Sequence, residues 1–314
     1  MQKNKIGIII GVIVAIILGG VGFYYGYYVR TPEYSLNIIR DSIKKHDVNT
    51  FEKYVNIDKV SNSYIDETID FAIEEQKGLS AKDAEDARFY IEKDKPSHVS
   101  DIKNIILNAV EGKSDAPDAD PNDIRDITKD SKVRGIAYVK KDGNKATVGI
   151  KVNDEILEDN YVIEFLMEQL SDGKWQVTEI LNLKEYFQAI EVKKKADLKK
   201  YFRSTQPIID EINKKWDSIT RSKMSKLERE KALLELDKER GAKLAEIPVP
   251  AGAKDVADKR EKSLQLQMEM FQMFIDAKGK PNRETVQKIN KLDADRDEIE
   301  KEIERAKVSV DESK

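Results

Sequence analysis

From Ile6 to Val29 no position is charged (IGIIIGVIVAIILGGVGFYYGYYV), whereas everything after it mixes apolar and charged residues within each turn. As a helix rising ~1.5 Å per residue, that run covers ~36 Å, against ~30 Å for a hydrocarbon core. The pattern predicts a transmembrane anchor over 6–29 with a cytoplasmic tip at 1–5. Lys3 and Lys5 precede the run, and Tyr24, Tyr25, Tyr27 and Tyr28 close it. Lysines are retained on the cytoplasmic side and tyrosines settle at the interface. A single-pass signal anchor is therefore expected, with its N-terminus cytoplasmic and the bulk of the chain extracytoplasmic at a cell membrane. A cleaved signal peptide is the competing pattern, but no small-x-small cleavage site follows the apolar stretch. Gly7 and Gly11 have the spacing of helix-pairing glycines, compatible with a homo-oligomer.

Beyond the run the hydrophobic period is helical, then two, then helical again. After Thr31 as a candidate N-cap and Pro32 in the first turn, Leu36, Ile39 and Ile43 share a face. Asp47 is positioned to cap a turn carrying Phe51, Tyr54 and Val55. Further helices are expected over 60–76, 81–92 and 99–110, punctuated by Gly78 and Pro96. A polar, acidic loop occupies 112–131. Strands are expected over 133–139, 146–152, 161–170 and 175–183, with Asp142-Gly143 and Asp172-Gly173 as hairpin turns. A stripe of Ile208, Ile212, Trp216 and Ile219 then continues through Leu227 and Leu234, until Pro248 and Pro250 interrupt it. A second helix over 255–277 and a third carrying Val286, Ile289, Leu292, Ile299, Ile303 and Ala306 complete the chain. Short connections make neighbouring helices antiparallel.

The fold class read from these periods is α+β: an N-terminal transmembrane helix, a helical layer with a four-stranded antiparallel sheet, and a C-terminal antiparallel helical hairpin or bundle. The α+β domain is placed at 30–190 and the helical domain at 191–314. Charge supports that division. Residues 31–190 hold 22 basic and 33 acidic side chains, net −11, while residues 191–246 hold 16 basic and 11 acidic, net +5. Charged residues make up 36% of the chain and cysteine is absent, which excludes disulfides, a thiol nucleophile and thiolate metal sites.

The stretch TPEYSLNIIRDSIKKHDVNTFEKYVNIDKV, through Pro32, Tyr34, Leu36, Phe51, Tyr54, Val55 and Val60, resembles a family of uncharacterised bacterial proteins with a single membrane anchor. The segment DGKWQVTEILNL resembles the closing strand of cystatin-like and nuclear-transport-factor-2-like α+β domains. Together these cover roughly the first 190 residues. The resemblance implies an envelope-facing domain without assigned chemistry, and it implies nothing for the helical tail.

Candidate chemistry is sparse. His46 and His98, the two histidines, lack the partners that metal binding or acid–base catalysis needs. Asp115, Asp118, Asp120 and Asp123 crowd the acidic loop as weak calcium candidates, with Asp126 beside them. Counted from Asp118, a calcium loop needs glycine at its sixth position and glutamate at its twelfth, where Asp123 and Lys129 stand. Lys193–Lys195, Lys199, Lys200, Lys214 and Lys215 form a basic stretch interleaved with acids, read as a solvated helix. Met268, Phe271, Met273 and Phe274 wrap more than one side of their helix and are the partner-binding candidates, with burial as the simpler reading. The strand faces offer Tyr138, Tyr161, Glu164, Glu168 and Thr178, with no histidine or cysteine. No catalytic residue, cofactor or nucleic-acid partner is expected. The expected function is a membrane-anchored, non-catalytic envelope protein that contacts an envelope protein or a cell-wall polymer. The alternatives are a small-molecule-binding or hydrolytic α+β domain and a coiled-coil spacer.

Overall fold

Two glycine turns, at Gly143 and Gly173, and a third turn without glycine fold residues 132–180 into a meander. The strands are β1 (Lys132–Asp142), β2 (Lys145–Asp154), β3 (Asp159–Gln169) and β4 (Trp175–Ile180), all antiparallel and in sequence order. The β1–β2 loop has two residues, and Gly143 takes φ 59° there, a conformation open to glycine at little cost. The computed structural model describes residues 27–75, 80–113 and 132–311. The chain divides into two units, residues 1–189 and 190–314, described in turn.

In the first unit, four helices precede the sheet: α1 (Pro32–Lys44), α2 (Val48–Tyr54), α3 (Ile57–Glu75) and α4 (Ala81–Val110). The Thr31 hydroxyl accepts from the Tyr34 amide and the Asp47 carboxylate from the Thr50 amide, which closes two helix starts. The core lies on one face of the sheet, where Ala146 and Val148 of β2, Met167 of β3, and Trp175 and Val177 of β4 meet Phe51, Val55, Ile57, Val60 and Val110. Trp175 is fully buried, and its ring nitrogen donates to the Arg30 carbonyl at 2.9 Å. The β4 edge is covered, since Val55 bridges Val177 and the Asn56 amide donates to the Val177 carbonyl at 2.9 Å. Among the described residues no strand pairs with the outer edge of β1, which carries two register shifts, the irregularity by which natural edges discourage further pairing.

The second unit is helical. Helix α5 (Leu183–Thr220) begins in the first unit and belongs to the second from Ile190 onward. It is followed by α6 (Lys226–Ala245), α7 (Lys254–Asp276) and α8 (Arg283–Asp311). One apolar layer joins Tyr201 and Phe202 of α5, Ala253 and Val256 at the start of α7, and Ile303 and Val310 of α8. The loop before α7 approaches α5 so closely that a Cβ on Gly252 would sit 2.8 Å from the Lys194 Cα. The Gly252 amide donates to the buried Asp197 carboxylate, which also takes Lys193 at 2.7 Å.

Three expectations are corrected. Among the described residues no helix is long and apolar enough to cross a membrane, so the transmembrane, single-pass reading is withdrawn. Residues 6–26 of the expected anchor lie outside the described residues. At its described end, Tyr28–Arg30 forms one 3-10 turn that stops at Thr31, whose amide and hydroxyl both donate to the Tyr28 carbonyl. The described helices are amphipathic and carry charges within every few residues, which is why none can span a bilayer. Secondly, the two helices expected around Pro96 are one 30-residue helix. Proline removes one hydrogen bond and crowds the carbonyl four residues earlier. That residue, Glu92, is exposed, so water can take the freed carbonyl. Pro207 is accommodated within α5 in the same way, opposite exposed Arg203. Thirdly, the stripe expected to run from Ile208 to Leu234 is broken between Thr220 and Lys226, so the tail has four helices instead of three. The Ser225 hydroxyl accepts from the Glu228 amide while the Glu228 carboxylate takes the Ser225 amide, a reciprocal cap that starts α6 afresh.

Candidate arginine-lined cleft

The inward positions of α6, α7 and α8 repeat at helical spacing but are not uniformly apolar. On α6 they include Leu233, Asp237 and Arg240, and on α7 Val256, Arg260, Ser263, Gln267, Met270 and Phe274. On α8 they include Arg296, Glu300 and Ile303, and α5 contributes Thr205 and Ile212. The result is a polar layer in a helical core. Asp237 and Thr205 have no exposed surface, Ser263 is buried, and Arg260 and Gln267 are more than nine-tenths buried.

A cleft of about 440 Å³ opens on this layer, lined by Arg240, Arg260, Arg296, Gln267, Glu300 and Trp216 among others. That is within the ~300–1,000 Å³ range of small-molecule sites. Its wall is partly fixed. Arg260 donates from Nη1 to the Thr205 hydroxyl at 2.6 Å and lies about 5 Å from the Tyr201 and Phe202 ring centres. A guanidinium so placed is held by cation–π attraction on its faces and a hydrogen bond at its edge. Burial pulls its pKa below the ordinary arginine value. The Glu300 carboxylate accepts from the Ser263 hydroxyl, and Trp216 packs on Phe271 with ring centres 5.8 Å apart.

The rest of the layer is unmatched. Both Asp237 carboxylate oxygens are buried without a hydrogen-bond partner, as are Nε of Arg240 and Nε of Arg296. Burial pushes the Asp237 carboxyl up to about 6, against the opposing pull of Arg240 and Arg296. Leaving one buried polar group unmatched costs on the order of 1–3 kcal/mol. Three side chains in one layer bearing that cost mark a place where stability has been given up, as functional sites commonly do.

The residues singled out from the sequence fall elsewhere or are already engaged. The loop aspartates Asp115, Asp118, Asp120 and Asp123 lie outside the described residues. Among the described residues, no group of three or more His, Asp or Glu side chains is placed to hold a metal. The His46 Nδ1 lies 2.8 Å from the Val110 carbonyl, while His98 is exposed on α4. On the outer face of the sheet, Tyr138 reaches across Gly149 to donate to Glu164, a bond that pushes the phenol up to about 12. Glu168 pairs with Lys59 at 2.9 Å. Phe274 is buried beneath the Lys226 ammonium, Phe271 is half-buried against Trp216, and Met268 lines an apolar groove with Leu244, Ile247 and Leu264. The arginine layer was not anticipated. Its signal is in the sequence nonetheless, because Arg260 stands four residues after Val256 and four before Leu264, at a core position of the stripe.

No family model, curated protein or solved structure matches the chain.

Proposed function

We propose that the protein is a non-catalytic binding module whose helical unit holds a small polar molecule in the arginine-lined cleft. The observation that carries this reading is the convergence of unmatched buried donors and acceptors on Asp237, Arg240 and Arg296 beside an open cleft. A molecule bound in the cleft supplies acceptors to Arg240 and Arg296, which line it, and not to Asp237, which does not. Three features favour binding over catalysis. The cleft is lined by arginine, lysine, glutamate, glutamine, asparagine, tryptophan and isoleucine side chains, without histidine. Its Glu300 is engaged by Ser263. Asp237, whose carboxyl burial pushes up to about 6, stands one turn behind Arg240 and does not line the cleft, so it cannot pass a proton to a bound substrate.

Ligand binding to the folded state alone stabilises by about 2.7 kcal/mol at one hundred times Kd. Thermal unfolding of the full chain against a library of small polar metabolites is expected to give at least one saturable rise in melting temperature. Replacing Gln267, which lines the cleft, by Leu is expected to abolish that rise. A library that yields no stabilising compound, or a rise unchanged in Gln267→Leu and in Trp216→Ala, would overturn the proposal.

A further inference from the structure

The same groups define the charge of the ligand. Four cations line the cleft, Arg240, Arg260, Arg296 and Lys307, against two acids, Glu300 and Glu304. Several of these are already engaged. Arg260 Nη1 bonds Thr205, Glu300 takes the Ser263 hydroxyl, and Arg296 Nη2 reaches Asp293 at 3.3 Å and Asp297 at 3.2 Å within its own helix. What remains is the buried Nε–H of Arg240 on α6 and of Arg296 on α8, without acceptors. Arginine has donors and no acceptor, so the missing partners must be acceptors. The Nε–H and the adjacent Nη–H of a guanidinium point the same way, a spacing matched by two oxygens of one carboxylate or phosphate. Asp237 does not serve this purpose, because it is fully buried and neither of its oxygens bonds either arginine. It offsets their charge from behind and leaves the donor edges unused.

We infer that the cleft takes a small ligand through a carboxylate or phosphate group held between the Nε edges of Arg240 and Arg296, with Asp237 as the internal counter-charge. The inference rests on the ligand-binding reading and narrows it to anions. A neutral molecule could accept one of these hydrogen bonds, but it lacks the paired oxygens that match the guanidinium fork.

Titration calorimetry of the full chain with citrate, with inorganic phosphate and with neutral myo-inositol tests it. Saturable binding is expected for citrate or phosphate and not for inositol, and whichever anion binds identifies the preferred group. Arg240→Met and Arg296→Met are each expected to weaken that binding at least tenfold. Arg240→Lys keeps the charge and loses the Nε edge, so it should weaken binding as well, by less. It also serves as the informative variant if the methionine forms do not fold. Asp237→Asn removes the competing negative charge and should tighten binding severalfold. The inference is overturned if neither anion binds at millimolar concentration, if binding is equal in the arginine variants, or if inositol competes. If a neutral library compound stabilises the chain and depends on Gln267, the anion assignment fails and the ligand-binding reading stands. If no compound stabilises it, both fail.

Discussion

The two units solve the problem of a core in opposite ways. In the α+β unit, the inward face of the sheet is apolar, and among the described residues the buried side-chain polar atoms are engaged apart from the Ser61 hydroxyl. The Ser35 hydroxyl takes the Trp175 amide, and Asp154 takes the Tyr186 hydroxyl at 2.6 Å together with two turn amides. In the helical unit buried Asp237 and Arg260 lie in a layer with half-buried Arg240 and Arg296, and among the described residues five buried atoms are unmatched, four of them in this layer and the fifth the Nε of Arg229. The first arrangement maximises stability, since satisfied buried polar groups cost little and apolar burial is worth roughly 25 cal/mol per Å². The second forgoes stability at one level of the bundle. On the function proposed above, the first unit is the scaffold and the second the recognition element.

The contrast is broken most directly by truncating each core. Trp175→Ala removes a fully buried ring, its packing on the sheet and its bond to Arg30. A loss of about 3–5 kcal/mol is expected from chemical denaturation, the range for large aromatic-to-alanine changes in cores. A loss under 1 kcal/mol would show that the apolar face of the sheet is not the centre of that unit.

The opposite sign is expected at Asp237. Its carboxyl has an ordinary value of 3.8 and titrates at about 6 in the folded chain, raised by burial. The folded state therefore holds this proton more tightly than the unfolded state. The resulting stability is fully present below about pH 3.8 and is lost as the pH rises through about 6, on the order of 2–3 kcal/mol. Asp237→Asn should remove this dependence and be the more stable protein at pH 7. Subtracting the two stability–pH curves isolates the effect, and a difference that is flat between pH 4 and 7 would refute it.

Much of the contrast was legible in the sequence and its decisive part was not. Turn glycines and the period-two stretches locate β1–β4 within a few residues, because backbone conformation is encoded locally. The β2–β3 turn has no glycine. Asp154 makes it by accepting the Ile156 and Leu157 amides, so only the side chain's fold-back reveals it. The break before α6 was written in Ser225 and Glu228, four characters among many similar ones. The arginine layer was hidden for a deeper reason. A charged residue on an amphipathic helix is ordinarily solvated, so even Arg260, at a core position between Val256 and Leu264, reads as an outer-face arginine, and nothing local marks Arg240 at all. Their burial is decided by three other helices.

Two glycines sharpen the comparison at smaller amplitude. Gly252→Ala places a methyl group against the backbone of α5 at Lys194, where nothing can rotate away. About 1–3 kcal/mol should be lost, the usual cost of overpacking. In the α+β unit, Gly149→Ala meets the Tyr138 ring at 2.6 Å and Val162 at 2.8 Å, both side chains on a partly open face. Tyr138 can swing aside at a cost of about 1 kcal/mol, and it then loses Glu164. Ultraviolet titration reads the consequence, because the phenol that ionises at about 12 should return toward 10. A tyrosine titration unchanged by the substitution would show that Tyr138 does not cross Gly149 to reach Glu164.

The smallest effect belongs to the outer surface of the helical unit. Glu211 and Lys215 of α5 form a rectangle with Glu239 and Lys243 of α6, with contacts of 2.5–2.9 Å. The Lys215 and Lys243 ammonium groups hold the Glu211 carboxyl down at about 2, a sign that the carboxylate is well coordinated. It is not a sign of large stabilisation, because the side chains are a third or more exposed, and exposed pairs are screened and entropically costly. Lys243→Met removes one corner and should let Glu211 titrate closer to its ordinary 4.5, which carboxyl chemical shifts would record. Thermal stability should change by little at low salt and not measurably at 1 M salt. Asp237 behaves in the reverse manner, since it has no exposed surface and its desolvation is not screened, so Asp237→Asn should keep its effect at 1 M sodium chloride. A Lys243 variant with a large, salt-resistant loss, or an Asp237 variant whose effect vanishes in salt, would erase the distinction between solvated charge on this unit's surface and unmatched charge in its core.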